Sequence, residues 1–121
     1  MNKLLKPKIK KLINYLQSYV NNCRNKTDWA YISRHHILSE SFIEKYKDAV
    51  YWDEISRTQK LSESFIERFQ DRVNWEYISW AQELSESFIE KYKHKVQLKK
   101  IMFHQTLSEE YLLKLILEKI I

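Results

Sequence analysis

Apolar positions along the chain recur with a period of 23 residues, and inside each period they follow helical spacing. Trp29, Trp52 and Trp75 align, with Leu98 in the fourth place, and Ile32, Ile55, Ile78 and Ile101 follow three residues later. Leu38, Leu61, Leu84 and Leu107 come next, then Phe42, Phe65, Phe88 and Tyr111, then Val50, Val73 and Val96. The unit reads W-x-x-I-S-x-x-Q-x-L-S-E-S-F-I-E-x-aromatic-x-x-x-V, and the string LSESFIE is spelled three times, at 38–44, 61–67 and 84–90.

Polar residues between these positions divide each unit into two short helices. Ser39, Ser62, Ser85 and Ser108 are suited to be N-caps, each followed by a Glu that complements the helix dipole. The preceding Leu can staple onto Ile43, Ile66, Ile89 or Leu112. Phe42, Ile43, Tyr46 and Val50 fall on one face of the second helix, with Glu40, Glu44 and Lys47 opposite. The first helix is expected to start at Asp28, Tyr51, Asn74 and Gln97. Trp29, Ile32 and His36 share its buried side, and Gln59, Gln82 and Gln105 take the place of His36 in later units. Ser33, Ser56 and Ser79 are small enough for a neighbouring helix to approach closely. Linkers of one to three residues predict consecutive helices packed as hairpins.

No 23-residue unit can bury its own Trp, Ile, Phe and Tyr, so units must stack on one another. The expected fold is all-α, an α-solenoid-like array of four short helical-hairpin units with an N-terminal capping helix. Residues 1–26 form the basic cap; residues 27–121 form the units 27–50, 51–73, 74–96 and 97–121, and the whole is one compact domain.

Composition narrows the chemistry. The chain has 121 residues, no glycine and one proline, Pro7. Phosphate-cradling loops, nucleophile elbows and dinucleotide fingerprints need glycine and are therefore absent. The lone Cys23 forms no intramolecular disulfide, no secretion leader is recognisable, and no apolar run is long enough to span a membrane, so a cytoplasmic location is expected. The net charge of +5 is uneven. Residues 1–26 carry seven Lys/Arg and no acid, whereas the rest carries 14 basic and 16 acidic side chains, a balance of −2. A helix from Pro7 to Asn21 presents the stripe Ile9, Leu12, Ile13, Leu16 and Val20 to the first unit. Lys3, Lys6, Lys8, Lys10 and Lys11 then form a basic cluster able to meet phosphates, anionic lipid or an acidic protein.

The motif W-x-x-I-S-x-x-Q-x-L-S-E-x-F-I, over roughly residues 27–112, resembles a tandem repeat of uncharacterised proteins from giant amoeba-infecting DNA viruses and some bacteriophages. The fourth unit departs from it: Leu98 replaces Trp, Met102 replaces Ser, and Tyr111-Leu112-Leu113 replaces Phe-Ile-Glu. The resemblance implies a viral or phage origin and an action on host machinery, antiviral defence included. It brings no active site.

Repeated positions build a scaffold, and varied positions are free to specify a partner. On the face of the first helix opposite Trp and Ile, one column reads Tyr31, Glu54, Tyr77, Lys100 and another reads Arg34, Arg57, Trp80, Phe103. Arg and aromatics are the types enriched at binding hot spots. Tyr31, Arg34, Arg57, Tyr77, Trp80 and Phe103 are the candidate partner-binding residues, with Tyr77 and Trp80 side by side. In the last helix, Leu113, Ile116, Leu117 and Ile120 form a second apolar stripe where earlier units are charged, which predicts self-association, most simply a C2 homodimer. His35, His36, His94 and His104 lack metal-ligand spacing, and the carboxylates recur in periodic sets instead of one constellation. The expectation is a non-enzymatic protein–protein interaction module without metal or cofactor, an inhibitor of a host protein complex. Nucleic-acid binding through the five N-terminal lysines is the alternative.

Overall fold

The computed structural model describes Lys11, Asn14, Tyr15, Ser18 and residues 26–120, and the described chain is helical throughout, with no strand. Each unit supplies two helices: α1 (Lys26–His35) with α2 (Glu40–Lys45), α3 (Trp52–Thr58) with α4 (Glu63–Arg68), α5 (Trp75–Ala81) with α6 (Glu86–Lys91), and α7 (Leu98–His104) with α8 (Glu109–Ile120). Lys11, Asn14, Tyr15 and Ser18 are also helical and all exposed. Pro7 and the stripe Ile9, Leu12, Ile13, Leu16 and Val20 lie outside the described residues.

The repeated serines start the second helices as expected. The Oγ atoms of Ser39, Ser62, Ser85 and Ser108 accept the backbone N–H three residues on, at 3.1 to 3.2 Å. Tyr51, Asn74 and Gln97 are the N-caps of α3, α5 and α7, but only Asn74 caps with its side chain, accepting from Tyr77 N at 3.2 Å. The first unit differs: α1 begins at Lys26, so Asp28 sits in its first turn.

The expected link length needs correction. The links are residues 36–39 and 46–51 and their equivalents, longer than one to three residues. The second helices of the first three units end after six residues at an aromatic C-cap, Tyr46, Phe69 or Tyr92, with φ near −110°. The chain then turns without any positive φ; for example, Ala49 N and Val50 N both donate to Tyr46 O. A chain without glycine reverses through such a wide turn, because the left-handed conformation that tightens a helix end is costly for other residues. The closest packing among the helices is therefore α1 on α3, α3 on α5 and α5 on α7, a stacked layer of first helices.

Ile32, Ile55, Ile78 and Ile101 form the spine of that layer and are wholly buried, as are Ile43, Ile66 and Ile89 from the second helices. Each such side chain contributes about 1.5–3 kcal/mol on burial. Trp52 stacks toward Phe65 and Phe69, and Trp75 repeats this with Phe88 and Tyr92, at centroid separations of 5.3 to 6.2 Å. Trp52 Nε1 donates to Lys47 O and Trp75 Nε1 to Gln70 O, each at 2.9 Å, so the indole also ties down the preceding turn.

Polar rungs join the units, and they explain why the polar letters repeat. Gln82 Oε1 accepts from Leu61 N at 3.0 Å, while its Nε2 donates to Ser56 O at 2.9 Å and Gln59 O at 2.6 Å. Gln59 and Gln105 make the same three bonds to the unit before each. Ser33, Ser56 and Ser79 are more than small: each buried hydroxyl accepts the N–H of the next unit's N-cap, Tyr51, Asn74 or Gln97, at 2.9 to 3.1 Å. The Glu in LSESFIE also reaches across. Glu40, Glu63 and Glu86 each accept from the backbone N and the Oγ of the following unit's capping serine, at 2.6 to 3.0 Å. These carboxylates are inter-unit latches, not merely dipole charges.

A further column of carboxylates bridges units on the outside. Glu44 pairs with Arg68, Glu67 with Lys91 and with the Tyr92 hydroxyl, and Glu90 with Lys114, Lys93 and the Tyr111 hydroxyl. The hydroxyl of Tyr111, then Lys114 and Lys93, hold the Glu90 carboxyl down to about 2 from its usual 4.5. Burial, then the Glu90 carboxylate, push the Tyr111 phenol up. A carboxylate depressed in the folded state stabilises fully above its unfolded pKa and loses that stabilisation as pH falls toward the folded value. Thermal unfolding from pH 6 to pH 2 should show the midpoint dropping below about pH 5. Glu90→Gln should flatten that drop; an unchanged slope would assign the acid lability elsewhere.

Candidate partner-binding surface

The exposed side of the first-helix layer carries the residues that vary between units, and the structure divides them into two clusters. In the first, Glu54 on α3 gathers both arginines. Arg34 donates to it through Nε at 3.1 Å and Nη2 at 3.0 Å, and Arg57 donates through Nη2 at 2.7 Å. The Glu54 carboxyl is held below its usual value, first by the Arg34 hydrogen bond, despite partial burial that opposes it. The same bond raises the Arg34 guanidinium. Such fork geometry restricts two long side chains and leaves remaining N–H groups for an acceptor on a partner. The tethering by Glu54 was not read from the sequence, although its place in the varying column between the arginines was a clue.

The second cluster is aromatic. Tyr77 and Trp80 lie edge to face at 5.9 Å and 75°, one helical turn apart on α5. Trp80 also meets His104 of the next unit at 6.0 Å, and both Tyr77 and Trp80 are half-buried. Trp80 is thus partly covered by its neighbour and presents one side only. Phe103, in contrast, is 82% exposed and Tyr31 is 51% exposed, the latter lying against His35 at 4.5 Å. Tyr31 and Arg34 stand on α1, Arg57 on α3, Tyr77 and Trp80 on α5, and Phe103 on α7, so the stacked first helices carry all six candidates. A shallow groove of about 500 Å³ runs beside Trp80, lined by Glu83, Leu84, His104 and Thr106.

The other candidates lie elsewhere. Leu113 and Leu117 on α8 are 57% and 52% exposed, and Ile116 is half-buried. Ile120 belongs to α8, but its side chain lies outside the described residues. Lys11 is exposed, while Lys3, Lys6, Lys8 and Lys10 lie outside the described residues. His36 follows the end of α1 instead of lying within it; its carbonyl accepts from Gln59, and its ring lies 6.0 Å from Tyr15. Among the described residues, no three His, Cys, Asp or Glu side chains gather as a metal site would require, and no helix is long and apolar enough to cross a membrane.

Comparison with family models, with curated proteins and with solved structures gives no match for this chain.

Proposed function

We propose that this chain is a non-enzymatic protein–protein interaction module, encoded by a virus or bacteriophage, that binds and blocks a host protein complex through its exposed first-helix face. One observation carries the reading. The polar side chains that repeat are engaged in joining units, whereas the six candidates, all at varying positions, collect on one layer as a tethered arginine pair and a set of aromatics. Half-exposed Trp, Tyr and Arg on a rigid scaffold lose little side-chain entropy on binding and bury large contact areas. The viral origin is supported by the repeat motif.

The test is affinity capture from cells of the natural host, comparing wild type with Trp80→Ala and Phe103→Ala. The expected result is one specific protein complex, retained at raised salt and weakened about 30-fold or more by Trp80→Ala. Phe103→Ala serves as a second variant because so exposed a ring contributes little to folding. Capture that is unaffected by both variants would overturn the proposal. Capture of nucleic acid that weakens steeply with salt, and is lost when Lys3, Lys6, Lys8, Lys10 and Lys11 become Gln, would establish the alternative.

A further inference from the structure

Among the described ion pairs, charge balances everywhere except at Glu54. Arg68 has Glu44, Arg72 has Asp48, Lys91 has Glu67 and Lys95 has Asp71. Lys93 and Lys114 both reach Glu90, but Lys93 also holds Glu118, so two cations meet two acids. At Glu54 the guanidinium groups of Arg34 and Arg57 share one carboxylate. The cluster keeps a positive charge that no described acid offsets.

That surplus faces outward and is held in place. The Glu54 side chain is 17% exposed, against 49% for Arg34 and 36% for Arg57, so the acid is the most covered of the three. A guanidinium has about five N–H donors; Glu54 takes two from Arg34 and one from Arg57, and the others have no acceptor among the described residues. Lys99 and Lys100 on α7 also make no ion pair there, but a lone ammonium on a free stem loses more freedom when engaged. By the 23-residue register Trp80 stands where Arg57 does, one stacked helix further on. A shallow groove of about 400 Å³ opens beside Arg57 and continues into the groove beside Trp80, with Ala81, Gln82 and Glu83 lining both. Packed helices lie about 8–10 Å apart, which an extended chain spans in about three residues.

Charge along this path decides what it receives. Glu76 in the first turn of α5 and Glu83 just past its end stand exposed, without an ion pair among the described residues. Asp53 is turned to Asn74, which donates to it at 3.1 Å. A nucleic acid brings negative charge at every step and meets Glu76 and Glu83 as soon as it leaves the arginines. A phosphorylated side chain brings about two charges to a surplus of one. A single carboxylate matches the surplus, and its planar shape fits the guanidinium fork. We infer that the first-helix face receives an acidic peptide segment, one Asp or Glu of which meets the Arg34–Arg57 pair while an apolar side chain about three residues away lies in the groove beside Trp80. This rests on the first-helix reading and adds to it the chemistry of the partner.

The experiment selects displayed random dodecapeptides on the immobilised full chain. Enriched sequences should carry Asp or Glu about three positions from an aromatic or large aliphatic residue. Affinity of the most enriched peptide, read by fluorescence anisotropy, should fall about 10-fold or more with Arg34→Ala or Arg57→Ala, since either leaves a balanced pair. Arg68→Ala, which breaks an ordinary pair, should leave it unchanged. Replacing the peptide's acid by its amide should give the same loss with the protein untouched, so the result does not hang on a variant folding. Arg57→Glu should regain binding when the peptide's acid becomes lysine. No enrichment, enriched peptides without an acid, or affinity indifferent to both arginines overturns the inference. A single-stranded oligonucleotide that displaces the peptide and loses its hold with Arg57→Ala overturns it in favour of nucleic acid. Acid-free peptides, or a host complex, still lost with Trp80→Ala would leave the first-helix reading standing; only indifference to both Trp80→Ala and Phe103→Ala removes that reading too.

Discussion

Gln82→Ala is expected to destabilise the fold by about 3–5 kcal/mol, a large share of the roughly 5–15 kcal/mol that holds a domain of this size together. Gln82 is almost fully buried and makes three hydrogen bonds to the preceding unit: one from Leu61 N, one to Ser56 O and one to Gln59 O. Alanine removes the partner of all three backbone groups, and each orphaned buried group costs about 1–3 kcal/mol. Gln82→Met, which keeps most of the volume, separates the bonds from the packing: it should cost nearly as much if the bonds dominate. Glu63→Ala is the contrast, since its bonds to Ser85 lie at the exposed rim and water replaces them. A loss below about 1 kcal/mol is expected there. Urea unfolding followed by tryptophan fluorescence measures all three, and a Gln82→Ala loss no greater than that of Glu63→Ala would refute the central role given to this residue.

The second large effect is the removal of a whole unit. Deleting residues 62–84 joins Leu61 to Ser85, which restores the spelling L-S-E-S-F-I-E at the new junction. Every inter-unit bond then has a substitute. Ser85 takes the place of Ser62 at Glu40, Lys91 takes the place of Arg68 at Glu44, and Gln97 N takes the place of Asn74 N at the Ser56 hydroxyl. Gln105 inherits the bonds of Gln82 to Leu61 N, Ser56 O and Gln59 O. The shortened chain of 98 residues (121 less 23) should therefore fold cooperatively, at lower stability. Its denaturant slope should be about four-fifths of the full chain's, since that slope follows the surface exposed on unfolding. Broad, non-cooperative unfolding would show that the units are not interchangeable. The deletion also removes Tyr77 and Trp80, so partner capture should be lost.

Much of this could be read from single residues. Ser39, Ser62, Ser85 and Ser108 cap helices because a short hydroxyl before an apolar run has few other uses, and the structure has them capping. The burial of Ile32, Ile55, Ile78 and Ile101 followed from helical spacing and size. The polar half of the motif was misjudged. Glu40, Glu63 and Glu86 suit a first-turn dipole role so well locally that their second partner, one unit away, was invisible. The same holds for the buried hydroxyls of Ser33, Ser56 and Ser79. Repetition itself was the clue, since a purely solvated Glu or Gln has no reason to recur at the same place.

The sequence by itself determined the period, the all-helical class, the starts of the second helices and the core, because these depend on local propensity and on which side of a short helix is apolar. The tertiary structure decided the rest. It stacked like helix upon like helix, turned Gln, Ser and Glu into rungs between units, tied Arg34 and Arg57 to one carboxylate, and laid Trp80 partly against His104. Apart from the Arg57–Glu54 bond within one helix, these depend on groups 18 to 26 residues apart meeting in space, and the distance between them is set by how one unit stacks on another, which no single unit contains.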